Sequence, residues 1–184
     1  MFKSFDKLKQ GKNIEKTAKA LVDSFKILWE TDFDDIWSIE NENNLLVALN
    51  GWLCRKSNYG ENIEKLSNAE KVFYLVFKLE GEVNSGGFSY FLYNSGGDFA
   101  NDSASALREI GAHKMAEICD RVLSAFGGAV PKNRDEREIV LDNTFTDEIN
   151  ELLSQCDNDF CKYPDDLVAL NYQFVQNNKT QFTR

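Results

Sequence analysis

Histidine and proline are scarce in this 184-residue chain, which contains one histidine and two prolines. A Ser/His or Cys/His catalytic centre would have to use His113, and a lone histidine between two predicted helices is more typical of a capping or surface residue. The four cysteines match neither a disulfide framework nor a CxxC pair, so we expect reduced thiols. These shortages favour a protein without a catalytic centre, a metal site or a cofactor.

Long apolar runs are missing too. The longest run, VFYLVF, extends from Val72 to Phe77, whereas a membrane-spanning helix needs about 20 apolar residues. Residues 1–12 carry charges every few positions and lack the apolar region of a signal peptide. We therefore expect a cytoplasmic protein that does not contact a membrane.

Positive charge is in short supply. The chain has 21 Lys and Arg against 30 Asp and Glu, a net charge of -9. Direct binding of nucleic acid is disfavoured, because affinity for phosphates depends on Lys and Arg. The charge is also uneven: residues 1–30 carry 7 basic and 4 acidic side chains, whereas residues 135–166 carry 2 basic and 11 acidic ones. This acidic segment is either a solubilising surface or a binding surface for a basic partner.

Apolar residues recur at helical spacing along most of the chain, beginning with a helix predicted between Ile14 and Leu28. We predict an all-α, single-domain helical bundle over residues 1–184, with about seven or eight helices. A minor short strand pair would lie near residues 33–39 or 88–93, and the C-terminal residues 177–184 should fray.

The central helix of this bundle is predicted to begin at a capping box, Ser67-Asn68-Ala69-Glu70. Apolar residues cover nearly all of its faces up to Val83, which is typical of a buried helix. The following Asn84-Ser85-Gly86-Gly87 should end it, since Asn and Gly readily adopt the left-handed conformation.

Carboxylates at helical spacing make the acidic segment the candidate binding site. Three of them lie on the polar side of one predicted helix, one precedes that helix, and four follow in the turn into the last helix. On a rigid surface such a row can resemble phosphates to a basic protein. The candidate partner-binding residues are Asp142, Asp147, Glu148, Glu151, Asp157, Asp159, Asp165 and Asp166.

An alternative function is a small-molecule-binding protein or enzyme with a pocket near the aromatic Gly-Gly-Phe segment. Glycines could leave room there beside the aromatic side chains, and His113 or Glu80 would then line the pocket. The aromatic residues concerned are Tyr74, Phe88, Tyr90 and Tyr93.

The stretch from Leu66 to Asp98 resembles a known family. A capped helix enters an aromatic and aliphatic run, followed by Glu-x-x-x-Asn-x-Gly-Gly-Phe, an aromatic pair, Asn and a Gly-Asp turn. The matching residues are Glu80, Asn84, Gly86, Gly87, Phe88, Tyr90, Phe91, Asn94, Gly97 and Asp98. Over roughly residues 66–126 the chain is similar to the DNA-mimic protein domain family, which occurs in many bacterial proteins.

The resemblance implies a mostly α-helical fold, no catalysis and a homodimer. The family takes its name from a member whose acidic dimer surface imitates duplex DNA and occupies a transcription factor. For this chain we therefore expect a non-enzymatic acidic protein that binds a basic partner, either a transcription factor or a nuclease that it inhibits.

Overall fold

The computed structural model describes residue 19 and residues 22–184. Within that part the chain is 75% helical, with nine α-helices and no strand, so the all-α prediction is confirmed. Short 3₁₀ turns lie at Ile63–Lys65, Ser95–Phe99 and Lys179–Gln181. The α-helices are α1 (residues 22–29), α2 (Phe33–Ile36), α3 (Glu42–Lys56), α4 (Asn68–Tyr93), α5 (Ala100–Glu109), α6 (His113–Ser124), α7 (Arg134–Thr144), α8 (Asp147–Phe160) and α9 (Leu167–Asn177).

Neither segment considered for a strand forms one. Residues 33–36 are helix α2, and residues 88–93 are the second part of α4. The predicted helix from Ile14 to Leu28 lies partly outside the described residues, and its described end belongs to α1. None of the described helices combines the length and the apolar character needed to cross a membrane.

Helix α4 begins at the predicted capping box. The Ser67 hydroxyl accepts a hydrogen bond from the Glu70 N–H at 3.2 Å, and Glu70 Oε2 accepts one from the Ser67 N–H at 2.8 Å. The buried faces of α4 carry Phe73, Tyr74 and Leu79, each at most 1% exposed. They belong to one cluster of buried side chains to which all the long described helices from α3 to α9 contribute. The prediction of a buried central helix is therefore correct.

The glycine pair breaks α4 without ending it. Gly86 and Gly87 have non-helical backbone angles, and Gly87 has a φ of 75°. After the break, the Phe88 N–H donates to Asp157 Oδ1 of α8 at 2.7 Å, so a distant carboxylate caps the second half of α4. The predicted helix end at this position is a kink, and the aromatic residues that follow are helical.

The C-terminal residues are held against the core, so the prediction of fraying is wrong. Phe182 is only 4% exposed, and its ring packs edge-on against Trp37 and Phe73. The Thr183 N–H donates to Glu70 Oε1 at 2.9 Å, and Lys56 Nζ donates to the Thr183 carbonyl at 2.6 Å. One apolar side chain in a polar segment is enough to dock it.

Candidate protein-binding surface

Helices α7 and α8 hold most of the acidic segment and are joined by two residues. Both begin at side-chain caps: Asn133 Oδ1 accepts from the Glu136 N–H at 3.1 Å, and Thr146 Oγ1 accepts from the Ile149 N–H at 3.4 Å. Each cap is followed by two acidic residues in the first turn. Negative charge there is favourable, because a helix N-terminus carries a partial positive charge.

Neither of the two basic residues of this segment presents an unpaired charge on its surface. Arg137 is 0% exposed. Lys162 forms an ion pair with Asp159 at 2.9 Å. Most of the remaining carboxylates face solvent without a basic neighbour from their own segment, whereas Asp157 and Asp165 are partly buried.

The guanidinium of Arg137 has a partner for each of its five N–H donors. Its Nε donates to the Leu92 carbonyl at 2.7 Å, and its Nη2 donates to the Asn94 carbonyl at 3.0 Å and to Asp98 Oδ1 at 2.8 Å. Its Nη1 donates to the carbonyls of residues 131 and 132. Arg137 thus closes the C-terminal end of α4 and is unavailable to a partner.

Three of the candidate carboxylates are exposed on α8. Asp147, Glu148 and Glu151 lie on its first two turns. The pKa of the Glu148 carboxyl is lowered mainly by a hydrogen bond with the Thr146 side chain, and to a smaller extent by one from its own backbone N–H. This residue therefore keeps its negative charge to a lower pH than an ordinary glutamate.

Asp142 is exposed on α7 and anchors a tyrosine. Its Oδ1 accepts from the Tyr93 hydroxyl at 2.6 Å. Burial, and to a smaller extent this hydrogen bond, raises the pKa of Tyr93 to about 12. The phenol therefore stays protonated at neutral pH and leaves the charge of Asp142 in place.

The other four candidates have roles in the fold. Asp157 caps the second half of α4, and burial raises the pKa of its carboxyl. Asp165 Oδ2 accepts from the Met115 N–H of α6 at 2.9 Å, and Asp166 Oδ1 accepts from the Ala169 N–H as the cap of α9. Asp159 pairs with Arg121 at 2.9 Å as well as with Lys162. These contacts leave the four less able to serve a partner than the carboxylates of α8.

Three exposed carboxylates of α7 were absent from the sequence-based site. Asp135, Glu136 and Glu138 are exposed at the start of the helix. Asp135, Glu138 and Asp142 follow the i, i+3, i+7 spacing that places residues on one helical face. That spacing was readable in the sequence. We call the exposed carboxylates of the two helices the acidic surface: Asp135, Glu136, Glu138, Asp142, Asp147, Glu148 and Glu151.

The aromatic Gly-Gly-Phe segment is packed. The Phe88 ring meets those of Phe91 and Phe160 edge-on at centroid distances of 6.5 and 5.5 Å. The void beside Phe88 measures about 10 Å³, which is close to the smallest volume that holds one water molecule. A larger open cavity of about 300 Å³ lies beside Tyr74, but neither His113 nor Glu80 lines it. The segment therefore offers no room for a substrate next to Phe88.

Possible metal ligands are also dispersed. Within the described residues, no three His, Cys, Asp or Glu side chains are grouped so that they could hold a metal ion. Cys54, Cys119 and Cys156 are buried free thiols, and Cys161 is an exposed one. Burial raises the pKa of the Cys54 thiol to about 11, so it remains protonated at neutral pH.

Comparison with known proteins gives one match. No curated protein and no solved structure matches the chain. A family model described as DMP19-like protein matches residues 64–178, more than half of the chain. The match includes the motif from Glu80 to Asp98 and extends through both helices of the acidic surface into α9. The chain therefore belongs to the DMP19-like protein family, a family of DNA mimics that is non-enzymatic in class.

Proposed function

We propose that this protein is a non-enzymatic DNA mimic whose acidic surface binds a basic, nucleic-acid-binding protein. The observation that carries the proposal is the excess of exposed carboxylates on α7 and α8, where Arg134 at the start of α7 is the one exposed basic residue. Arg137 is buried under the end of α4, and Lys162 is paired with Asp159. Seven carboxylates of the acidic surface are left exposed on two consecutive helices.

The central part of the acidic surface is the first two turns of α8. Asp147, Glu148 and Glu151 project from a helix whose opposite face is anchored by the buried Leu153, and the helix backbone holds them in fixed positions. Carboxylates in fixed positions bind a partner more tightly than carboxylates on a mobile loop, because less conformational entropy is lost on binding. A partner that binds DNA through Lys and Arg would meet the same sign of charge here.

Two kinds of basic partner fit this surface. A transcription factor would be kept from its DNA site, and a nuclease would be held inactive by the same contacts. The two differ in the activity that is lost, so measuring DNA binding and DNA cleavage by the captured partner distinguishes them. In both cases the protein itself does not bind nucleic acid. We also propose that it acts as a homodimer.

The proposal is tested by an affinity pull-down from the native cytosol at low and high salt. We expect a captured protein with a basic surface, and its affinity should fall as the salt concentration rises. The Debye length shrinks from about 10 Å at 0.1 M to about 3 Å at 1 M salt, so charge attraction is largely screened. Capture of a partner without basic character would refute the proposal.

A charge-matched pair of variants locates the contact. Replacing Asp147, Glu148 and Glu151 together by Asn, Gln and Gln should weaken the complex at least about tenfold, since several charge contacts are lost at once. The control replaces Glu64, Glu109 and Glu117 by Gln, which removes the same net charge from exposed positions elsewhere. Equal affinities of the two triple variants would show that α8 is not the contact.

A further inference from the structure

A cavity of about 160 Å³ lies between α3, α4 and α9. No residue of α7 or α8 lines it, so it is separate from the acidic surface. Leu46, Phe77 and Val168 form its apolar walls, and its polar lining consists of one carboxyl and three amide side chains. A cavity of about 150 Å³ can accept a benzene-sized molecule, whereas drug-sized ligands need about 300 Å³ or more. The occupant must therefore be small.

One side-chain atom of Asn171, a residue of this lining, has no hydrogen-bond partner among the described residues. Asn171 is 1% exposed, and its Oδ1 is buried without a hydrogen bond to any described residue. An unsatisfied buried acceptor costs about 1–3 kcal/mol, so such atoms are rare in folded proteins. A carbonyl oxygen can be satisfied only by an N–H or O–H donor, which a ligand in the cavity would supply.

Glu80 and Asn84 of α4 also line the cavity and are held by one tyrosine. The Tyr163 hydroxyl donates to Glu80 Oε1 at 2.9 Å and accepts from Asn84 Nδ2 at 2.6 Å. Because Nδ2 points at the hydroxyl, the amide oxygen of Asn84 is directed elsewhere. A carboxylate has about four acceptor positions, of which Tyr163 uses one. Both side chains therefore retain capacity to accept hydrogen bonds.

The residues that line the cavity carry negative charge only. Glu80 is the only charged residue among those that line the cavity, and no Lys, Arg or His is among them. We propose that this cavity binds a short alkylammonium group, whose N–H donors meet Asn171 Oδ1 and the Glu80 carboxylate. Its methylene stem packs on Leu46, Phe77 and Val168. An ammonium ion has three donors and no acceptor, which complements a lining with unused acceptors and one negative charge.

Two sources can supply this group: a free aliphatic amine or the side chain of a lysine from another protein. The site is tested first with n-butylammonium chloride, followed by ¹H–¹⁵N spectra of the full chain. We expect saturable shifts of the Asn171 side-chain amide and the Gly81 backbone amide, with a Kd on the order of 1 mM for so small a ligand. 1-Butanol, a neutral molecule of the same length, should bind at least about tenfold more weakly.

Gly81 provides a variant that adds bulk at the wall of the cavity without disturbing the helix. It lies in α4 and lines both this cavity and the one beside Tyr74, and a Cβ added there would meet no atom within 4 Å. Gly81→Leu should therefore fold and weaken n-butylammonium binding. Glu80→Gln retains an acceptor for Tyr163 but removes the charge, and should weaken binding at least about tenfold. Glu109→Gln, at an exposed position of α5, is the charge-matched control and should bind like the unmodified protein.

The inference is overturned if n-butylammonium gives no saturable shifts, if 1-butanol binds equally well, or if Glu80→Gln leaves binding unchanged. Nα-acetyl-lysine N-methylamide identifies the source. If it binds at least as tightly as n-butylammonium, the site is supported as a receptor for a protein lysine. If it binds tenfold more weakly or worse, the site is supported as one for a free amine. None of these measurements uses the basic partner, so they stand or fall independently of the acidic surface.

Discussion

Asp157 shows how one residue of α8 can be joined to the family motif in α4. Its carboxylate caps the Phe88 N–H from 69 residues away. The backbone of Gly87 lies against it so closely that an added Cβ would sit 2.4 Å from Asp157 Oδ2. The glycine in the Gly-Gly-Phe motif is therefore required twice, once by its φ of 75° and once by the space that the carboxylate occupies.

Two glycines of α4 should respond to alanine with opposite signs. Gly87→Ala should lower the free energy of unfolding by about 2 kcal/mol or more, because a positive φ and a close contact oppose the new Cβ. Gly81→Ala should raise it by about 0.5–1 kcal/mol, since that position is helical and its Cβ would meet nothing within 4 Å. Urea denaturation of both variants measures the two changes. Destabilisation by Gly81→Ala, or none by Gly87→Ala, would contradict the local geometry described.

Local signals explain which residue roles could be predicted from the sequence. The capping box joins Ser67 to Glu70, three positions along the chain, and the Thr146 cap joins residues at the same separation. Because both contacts are local, both were predictable. The capping roles of Asp157 and Asp165 connect residues 69 and 50 positions apart. No periodicity or short motif encodes such pairings, so these carboxylates were grouped with the exposed ones.

At the scale of elements, the end of α4 depends on a buried cation from α7. Arg137 Nε lies 2.7 Å from the Leu92 carbonyl. A Cβ on Gly97 would come within 2.6 Å of the same nitrogen. The Asn94, Gly97 and Asp98 positions of the family motif therefore form a cradle for Arg137. The sequence motif contains the residues of the cradle but does not reveal its function or its occupant, which is 39 residues beyond Asp98.

Removing the Arg137 side chain should destabilise the contact between α7 and the C-terminal end of α4. Arg137→Met should lower the free energy of unfolding by about 3 kcal/mol or more, because four backbone carbonyls and one carboxylate lose a buried cationic donor together. The control is Asp98→Asn, which removes only the partner whose side chain is 43% exposed. That change should cost about 1 kcal/mol or less. Denaturant unfolding measures both, and equal effects would show that the backbone contacts of Arg137 are not the stabilising ones.

The C-terminal segment is a second junction, between α3, α4 and the 3₁₀ turn Lys179–Gln181. Phe182→Ala should lower the free energy of unfolding by about 3–4 kcal/mol, because the buried ring would leave a cavity beside Trp37 and Phe73. Thr180→Ala, at an exposed position two residues earlier, should change it by less than about 0.5 kcal/mol. Thermal or urea unfolding tests the pair. A small effect of Phe182→Ala would restore the original expectation of a frayed end.

At the scale of the whole molecule, helical periodicity predicted the fold well because each helix buries its own apolar stripe. It could not predict the cavity beside Asn171, since cavities arise from the relative positions of α3, α4 and α9. Charge counting predicted where acid accumulates along the chain. It could not tell that Arg137 is buried, so that its positive charge is missing from the exposed part of the segment.

The two proposed associations of this molecule should differ in their response to salt. Within the described residues, Tyr59, Tyr90 and Ile139 are large hydrophobic side chains that remain 48–62% exposed, and the proposed homodimer would form its contact with exposed apolar side chains of this kind. Light scattering at tens of micromolar should give twice the chain mass of 21.0 kDa. An apolar dimer contact should persist at 1 M salt, where charge attraction to a basic partner is screened within about 3 Å. A monomer mass at low salt would rule out the homodimer, and a dimer that dissociates at high salt would show that charged groups hold it together.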